Sequence, residues 1–413
     1  LLSLLLLKPG GFGPSKLPVS KQPQFSFLSV SNHKKDQILN GTTMPYPSTA
    51  ILPPEPVTVT VALEPVYNIL VSMGALAIDE ETSGLNEWVA RTIATLPTSL
   101  VRQNEIIFGG LGLEALTNIC PRGPASEDFP TYLAFLAAQE PVALRYQLLH
   151  WKIHSPTWRT FFDSVLLPEP EVEEVVADPT VGIRFFEERA REKFDRSTVE
   201  EFLGLIRDPV TLQAMLVEHL HTLWETALAE EWQRVRPLLQ EAVDAFQSVN
   251  LSGLTILEAI QTVTGRDLRT LFRLEVLLRY RRIRFLPVVH NGPYISWFGT
   301  DNELRMTFMA RRPQHTPGQL SSLDRSELAN QLAALADDTR LQILYALHSE
   351  GELSTQEIID RFALNKSAAS RHLRQLYASN FIQERREEGA KKVYSLNRRT
   401  VEETLNLLHT LAG

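Results

Sequence analysis

The sequence predicts a mainly α-helical protein with a small β component, in which a large helical N-terminal domain precedes a smaller C-terminal domain. Over much of the chain, apolar residues recur at i, i+3 and i+4, the spacing of one buried helix face. Segments that alternate like strands are few and short. The stretch 311–320 contains two prolines and a glycine without apolar periodicity, so it is predicted to link residues 57–310 to residues 321–413.

Composition excludes several classes of protein. Hydrophobic residues make up 44% and charged residues 22% of the 413 residues, as in ordinary folded proteins. No apolar run approaches the roughly 18 residues that cross a bilayer, so no membrane span is expected. Cys120 is the only cysteine, which excludes a disulfide or a thiolate metal cluster within one chain. A reducing compartment fits, and we expect a cytoplasmic protein.

Residues 1–56 are predicted to lie outside the folded domains. The chain begins with the apolar run LLSLLLL and continues with segments rich in proline, glycine, serine and lysine. A signal peptide would need basic residues before its apolar core and a small-residue cleavage site after it, and the segment fits neither requirement. It is interpreted as a disordered tail or a translated upstream region, with Met44 as a plausible true start.

The N-terminal domain is predicted to consist of amphipathic helices followed by a short antiparallel sheet. Residues 57–61 alternate and predict a first strand. Helices are predicted over residues 65–77, 85–96, 131–138, 141–153, 157–166, 182–193, 197–206, 209–247 (bent near Pro237), 254–262 and 265–279. Three strand-like segments, 282–289, 295–298 and 304–309, follow them.

No catalytic, cofactor or metal site is predicted in this domain. Residues 110–115 fit a loose G-x-G-x-x-A, but a dinucleotide site also needs a βαβ unit, and Pro121 interrupts the chain too soon. His150 and His154 share a helical face but lack a third ligand. The basic run 279–284 is interpreted as a solvated face. We therefore expect no enzymatic activity.

The C-terminal domain contains the pattern of a helix-turn-helix. Ser354 and Glu357 have the spacing of a capping box at the start of a helix over residues 355–362. Asn365 can cap the next helix, over residues 366–378. Two helices joined by so short a turn form a helix-turn-helix.

Further predicted elements surround this pair of helices. Helices over residues 326–336 and 339–348 precede it. The alternating segments 381–386 and 392–396 follow it as a hairpin, and residues 400–411 form a last amphipathic helix. A helix-turn-helix followed by a hairpin is a winged helix.

The charge of the protein is unevenly spread. The whole chain has a formal net charge of −8. Residues 361–399 contain ten basic and three acidic residues, a local net charge of +7, which leaves −15 on the remainder. A positive region on an acidic protein is what contact with DNA phosphates requires.

Two motifs of the C-terminal domain resemble the ArsR-type winged-helix repressors. Residues 335–344 are LADDTRLQIL and look like the family signature A-L-x-D-x-T-R-x-x-I-L. Residues 365–373 are NKSAASRHL and are similar to the family's recognition helix, S-x-S-x-x-S-x-H-L. The resemblance covers residues 321–413. It implies a bacterial transcription regulator, usually a repressor, that binds DNA as a two-fold dimer formed through the first and last helices of the winged helix.

The recognition helix supplies the first set of candidate DNA contacts. Its start places Lys366, Ser367, Ser370 and Arg371 toward the major groove, where the cations can contact guanine or phosphate. For His372, a phosphate contact and a packing or capping role both stay open.

The hairpin supplies the second set. The candidates are Arg385, Arg386, Lys391 and Lys392, which would reach the minor groove or its flanking phosphates. We expect about half of them to touch DNA and the others to be solvated.

The sequence departs from the metal-sensing members of the family. These carry a C-x-C-type site on the helix before the recognition helix, or His and carboxylate ligands on the last helix. Here residues 352–357 are ELSTQE, and the last helix offers only Glu402, Glu403 and His409. More faintly, residues 57–310 resemble the helical domain fused ahead of ArsR-type winged helices in some actinobacterial regulators. This domain is therefore predicted to sense a non-metal small molecule or a partner.

The sequence thus predicts a repressor of ArsR type that binds an inverted-repeat operator in double-stranded DNA as a homodimer. Two alternatives stay open. One is an enzyme with a DNA-binding appendage, and the other is a winged helix used as a protein-interaction module. The +7 charge of residues 361–399 argues against the second, because such a module needs no phosphate-binding charge.

Overall fold

Helices and two small sheets make up the structure, which confirms the predicted fold class. The computed structural model describes residues 56–77, 86–121, 123–154, 169–189, 195–268, 277, 279–300, 302–313, 321–386 and 392–412. All but the last residue of the predicted tail 1–56 lies outside these ranges, as do the predicted helix 157–166 and most of 265–279. Residues 314–320 also lie outside, so the domain boundary at 311–320 stays a prediction.

Prolines and capping carboxylates begin many helices of the N-terminal part. Its first elements are β1 (Thr58–Val61), α1 (Pro65–Ala75), α2 (Glu87–Thr95), α3 (Thr98–Gly110), α4 (Gly112–Asn118), α5 (Pro124–Glu127), α6 (Phe129–Ala138), α7 (Pro141–Ile153), α8 (Val172–Ala177), α9 (Pro179–Arg189), α10 (Arg196–Arg207), α11 (Pro209–Leu223), α12 (Ala229–Gln247) and α13 (Ile256–Thr264). Pro65, Pro141 and Pro209 occupy the first turn, where the missing N–H costs nothing. Asp208 accepts hydrogen bonds from two otherwise unpaired N–H groups at the start of α11.

The long helix predicted over residues 209–247 is interrupted. Between α11 and α12, Trp224–Leu228 winds as a π-helix. Pro237, on which the predicted bend rested, lies inside α12. A π segment adds one residue to the hydrogen-bond ring, and no residue type in the sequence indicates where that happens.

The sheet of the N-terminal part is mixed, which corrects the prediction of an antiparallel sheet. β2 (Arg282–Val288), β3 (Trp297–Gly299) and β4 (Glu303–Met309) join β1 in the order β1-β2-β4-β3. Only β3 and β4 are antiparallel, whereas β2 runs parallel to both β1 and β4. The chain crosses over between β2 and β4, and residues 285–299 are all buried. Such continuous burial removes the alternation that would have separated the strands in the sequence.

The C-terminal part is a winged helix, as predicted. Its elements are α14 (Ser322–Leu335), α15 (Asp338–Glu350), β5 (Glu352–Ser354), α16 (Thr355–Arg361), α17 (Lys366–Ala378), β6 (Ile382–Arg386), β7 (Lys392–Leu396) and α18 (Arg398–Ala412). The strands form an antiparallel sheet in the order β5-β7-β6. The short strand β5 was not predicted, because three residues are too few for a detectable alternation.

Both parts have buried cores, and Leu323 of α14 packs into the core of the helical part. In the C-terminal part, Ile343, Leu373, Leu376 and Phe381 pack together and join α15, α17 and the sheet. None of the helices in the described ranges combines the length and the apolar character needed to cross a membrane.

Candidate nucleic-acid interface

The helix-turn-helix is held by the local hydrogen bonds that the sequence predicts. The Ser354 hydroxyl accepts from the N–H of Glu357 at 3.3 Å, and the Glu357 carboxylate accepts from the N–H of Ser354 at 2.7 Å. The Asn365 side chain accepts from the N–H of Ala368 at 2.8 Å. Both predicted caps are therefore confirmed. Between the helices, Ala363 has a φ of +50°, which turns the chain sharply toward α17.

One face of α17 is buried and its N-terminal half is open to solvent. The buried face carries Ala369, Leu373 and Leu376. The predicted major-groove residues lie in the first two turns: Lys366, Ser367 and Arg371 are exposed, and Ser370 is half-buried. The structure therefore brings these residues together on one end of one helix, while their contact with DNA stays a prediction.

The N-terminal end of α17 has a positive potential, to which the helix dipole and two cations contribute. Its first turn contains no acidic residue. The N–H groups of that turn, one of which is capped by the Asn365 side chain, form the positive end of the helix dipole. Lys366 and Arg371 add two formal charges beside it. Together they make this end attractive to a phosphate group.

His372 lies against the start of α15 rather than at the solvent end of α17. Its side chain is only 12% exposed, and its Nδ1 lies 3.6 Å from the Asp337 carboxylate. Burial lowers the pKa of His372, and the Asp337 carboxylate opposes that shift. This burial fits a packing role, while the alternative role of His372 as a phosphate contact stays a prediction.

Asp337 and Arg340 form a joint between the end of α14 and the start of α15, which the sequence motif alone did not explain. The Asp337 carboxylate caps α15 by accepting from the N–H of Arg340 at 2.9 Å. The buried Arg340 guanidinium donates to the carbonyls of Ala333 and Ala334 at the end of α14. These bonds satisfy helix-end groups that would otherwise be unpaired. The joint thus fixes α14 against α15.

Two of the predicted wing cations form ion pairs within the domain. Arg385 contacts Glu352 at 2.6 Å, with both side chains about half exposed. Lys392 contacts the buried Glu384 at 2.9 Å. The other two candidates are not placed: the side chain of Arg386 and the whole of Lys391 lie outside the described residues.

The helical part contacts the C-terminal end of the recognition helix. The buried Arg266 donates to the carbonyl of Tyr377 at 3.0 Å, and its guanidinium lies 4.7 Å from the centre of the Tyr377 ring. Asn380, which follows α17, donates to the carbonyl of Gly265 at 3.0 Å. Sequence reasoning missed this contact, because nothing near Arg266 indicates a partner more than a hundred residues away.

Helix α14 adds a second set of contacts with the helical part. Asn330 donates to the Met309 sulfur at 3.1 Å, next to the end of β4. Ser322 donates to Glu241 of α12 at 2.9 Å. The winged helix is thus held at α14 as well as at α17.

The helical part also contains a buried polar chain that the sequence analysis missed. His290 Nδ1 lies 2.7 Å from the Ser72 hydroxyl, and its Nε2 lies 2.7 Å from the Glu231 carboxylate. Trp88 packs on the imidazole ring. Ser72 also donates to the carbonyl of Asn68 within α1. All three polar side chains are buried, and the Ser72 hydroxyl is not open to solvent. These hydrogen bonds therefore join α1, α12 and the segment after β2.

Comparison with known proteins agrees with this geometry. Residues 337–384 match the profile of the family described as "Bacterial regulatory protein, arsR family". The C-terminal domain is therefore a helix-turn-helix domain of ArsR type, and the resemblance predicted from its two motifs is confirmed.

A curated relative also matches part of the chain. The "Cadmium resistance transcriptional regulatory protein CadC homolog" of Staphylococcus aureus is 36% identical over 78 residues. The similarity covers 19% of this chain and 64% of the relative, so the chain spans less than two thirds of the relative's length.

No metal-binding cluster is present in the described ranges. There, no three histidine, cysteine, aspartate or glutamate side chains are grouped in a way that could hold a metal ion. Burial raises the pKa of the Cys120 thiol to about 12, so it stays protonated. Sensing of a non-metal ligand stays a prediction.

Proposed function

We propose that the protein is a DNA-binding transcriptional regulator, a repressor that binds an inverted-repeat operator as a homodimer in the bacterial cytoplasm. One observation carries the proposal: the exposed, basic N-terminal half of α17 is the second helix of an ArsR-type helix-turn-helix. In such folds this end of the second helix enters the major groove. No catalytic activity is expected of the helical part.

Exposed leucines support the dimer. On α18, Leu405 and Leu411 are 49% and 59% exposed, and on α14 Leu332 is 40% exposed. With the half-buried Leu408 between them, Leu405 and Leu411 recur every third residue of α18, and exposed apolar side chains at such spacing are typical of a helix that packs against a partner. A second copy of the chain is the partner expected from the family resemblance.

The helical part is proposed to control the position of α17. Arg266 and Asn380 join it to the C-terminal end of that helix, opposite the end that faces DNA. A ligand of the helical part regulates DNA binding if it binds two arrangements of this contact with different affinity.

The proposal is tested by selecting sites from random duplex DNA with the full chain. We expect an enriched inverted repeat whose half-sites are about one helical turn apart. Affinity for that site should fall with salt, because phosphate contacts release counterions. A Lys366→Ala, Arg371→Ala variant should bind at least about a hundredfold more weakly, with a shallower salt dependence.

The matched control is an Arg236→Ala, Arg279→Ala variant, which removes two exposed cations of the helical part. It should bind the selected site like the parent protein. Failure to enrich any sequence, or equal binding by the two double variants, would contradict the proposed function.

A further inference from the structure

A cavity of about 340 Å³ lies where α1, the segment before α5, and strands β2 and β4 meet. Leu63, Val66 and Pro121 form its apolar side. Arg284, Arg305 and other polar residues make up the rest of the lining. The volume is within the range of small-molecule sites, and the lining is more polar than apolar.

Two arginines stand side by side in this cavity. Arg284 of β2 and Arg305 of β4 are directly paired in the parallel register, so both side chains project from the same face of the sheet. They are only 29% and 18% exposed. Like charges on directly paired positions destabilise a sheet, and partial burial increases that cost.

The carboxylates near the arginines do not saturate them. Glu64 lies 3.3 Å from Arg284 and 3.8 Å from Arg305, and Glu303 lies 3.4 Å from each. Charge-assisted hydrogen bonds are usually about 2.7–2.9 Å long. The carboxylates therefore balance the charge of the two arginines without forming short hydrogen bonds to them. The guanidinium N–H groups can still donate to an anion that lies closer.

A buried hydroxyl completes the polar side. Tyr67 lines the cavity, is only 4% exposed, and its hydroxyl has no hydrogen-bond partner among the described residues. Burial raises the pKa of Tyr67, so the hydroxyl keeps its proton and can donate. Its ring packs edge-on against Phe298, the register partner of Arg305. A buried hydroxyl without a partner is costly, and a ligand acceptor would remove that cost.

We propose that this cavity binds a small organic carboxylate. The carboxylate oxygens accept from Arg284, Arg305 and the Tyr67 hydroxyl, while the apolar part of the ligand lies against Leu63 and Val66. Arg284, Arg305 and the Tyr67 hydroxyl all donate, which favours an acceptor-only group on their side of a cavity that Glu64 and Glu127 also line. The ligand displaces the loosely held carboxylate of Glu64.

The site is also connected to the winged helix through strand β4. Arg305 lies on β4, and Met309 at the end of the same strand contacts Asn330 of α14. The role of the ligand as an effector rests on the proposed function, whereas binding itself does not involve DNA.

The first test is calorimetric titration of the full chain with acetate, hexanoate, benzoate and phenylacetate, without DNA. We expect saturable binding of at least one acid, with one site per chain. The matching uncharged amide, such as benzamide for benzoate, should bind at least about tenfold more weakly, because it lacks the charge. If none of the four acids binds saturably, the proposal is wrong.

Variants assign the binding to this cavity. The Arg305→Gln variant should bind the acid with an affinity about tenfold or more lower than the parent protein. The Tyr67→Phe variant should lose roughly threefold to tenfold in affinity. Glu64→Gln removes the competing carboxylate and should tighten binding, a gain that misfolding cannot produce. Arg236→Gln, an exposed arginine on α12, is the control. Parental affinity in the Arg305→Gln variant would overturn the assignment.

Separate measurement of operator affinity distinguishes this inference from the proposed function. Acid binding in a protein that selects no DNA site supports the cavity and contradicts the regulator. Specific DNA binding in a protein that binds none of the acids supports the regulator and contradicts the cavity.

Discussion

Arg266 of the helical part donates to the carbonyl of Tyr377 at 3.0 Å while its guanidinium lies over the Tyr377 ring. Tyr377 belongs to the last turn of α17, where a cation complements the negative end of the helix dipole. The two residues come from different parts of the chain, and the Arg266 side chain is buried. The position of the recognition helix is therefore set partly from outside the winged helix.

Replacement of Arg266 by alanine should loosen the end of α17. The change removes the hydrogen bond to Tyr377 and the cation that caps the helix dipole. We expect amide hydrogens of residues 375–380 to exchange at least about tenfold faster, which corresponds to ~1.4 kcal/mol of local stability. Mass spectrometry of exchanged peptides measures this. The exposed Arg279→Ala serves as control, and unaltered exchange in Arg266→Ala would refute the contact.

Replacement of Asp337 by alanine should destabilise the winged helix. The variant loses the N-cap of α15 and the carboxylate beside Arg340 and His372. We expect the free energy of unfolding to fall by about 1–2 kcal/mol in urea titrations. Asp338→Ala removes an exposed neighbouring carboxylate that does not cap α15, and should cost less. Equal losses in the two variants would show that the cap is unimportant.

Replacement of Glu352 by glutamine should strengthen DNA binding. In the unbound protein Glu352 forms an ion pair with Arg385, and that hydrogen bond lowers the pKa of the Glu352 carboxyl. Without this competitor, Arg385 can turn to a phosphate. We expect affinity for the selected site to rise by roughly threefold and the salt slope to steepen by up to about one.

The control for this variant is Glu230→Gln, which removes an exposed carboxylate from the helical part. It leaves the wing unchanged, so it separates the local effect from a change in net charge. If both variants raise affinity equally, Arg385 has no specific role.

The helical part should lose stability in mild acid because of His219. Its Nε2 hydrogen-bonds to Asn104, and burial lowers its pKa to about 4. An unfolded histidine titrates near about pH 6.5, so below that value the unfolded chain binds a proton that the folded chain does not. Stability therefore falls with falling pH through this window.

A His219→Gln variant isolates this contribution. Between about pH 7 and about pH 5, the parent should lose roughly 2 kcal/mol more than the variant in urea titrations. His221→Gln, on the exposed side of the same helix, should follow the parent. An identical pH dependence in the parent and in His219→Gln would contradict the assignment.

The sequence predicts the winged helix well because the interactions that begin its helices connect residues close together in the chain. The caps at Ser354 and Asn365 lie within three residues of the groups they satisfy, so spacing alone indicates both helix starts. The charge of residues 361–399 likewise marks the end of α17 that is exposed.

The features that the sequence does not predict depend on distant partners. Pairing between Arg284 and Arg305 follows from the parallel order of β2 and β4, which the strand pattern does not encode. The same holds for the chain from Ser72 through His290 to Glu231. Each such contact requires knowledge of the folded chain, since neither partner carries a local signal.

The pairing of Thr58 with Arg282 affects the order in which the molecule can form. β1 is near the start of the described chain, yet its neighbour β2 is synthesised only after all the helices that the structure describes in the N-terminal part. On the ribosome, β1 therefore lacks its partner strand β2 while those helices are synthesised and fold. Contacts so far apart in the chain are slow to form, so completion of this sheet is expected to be a late step of folding.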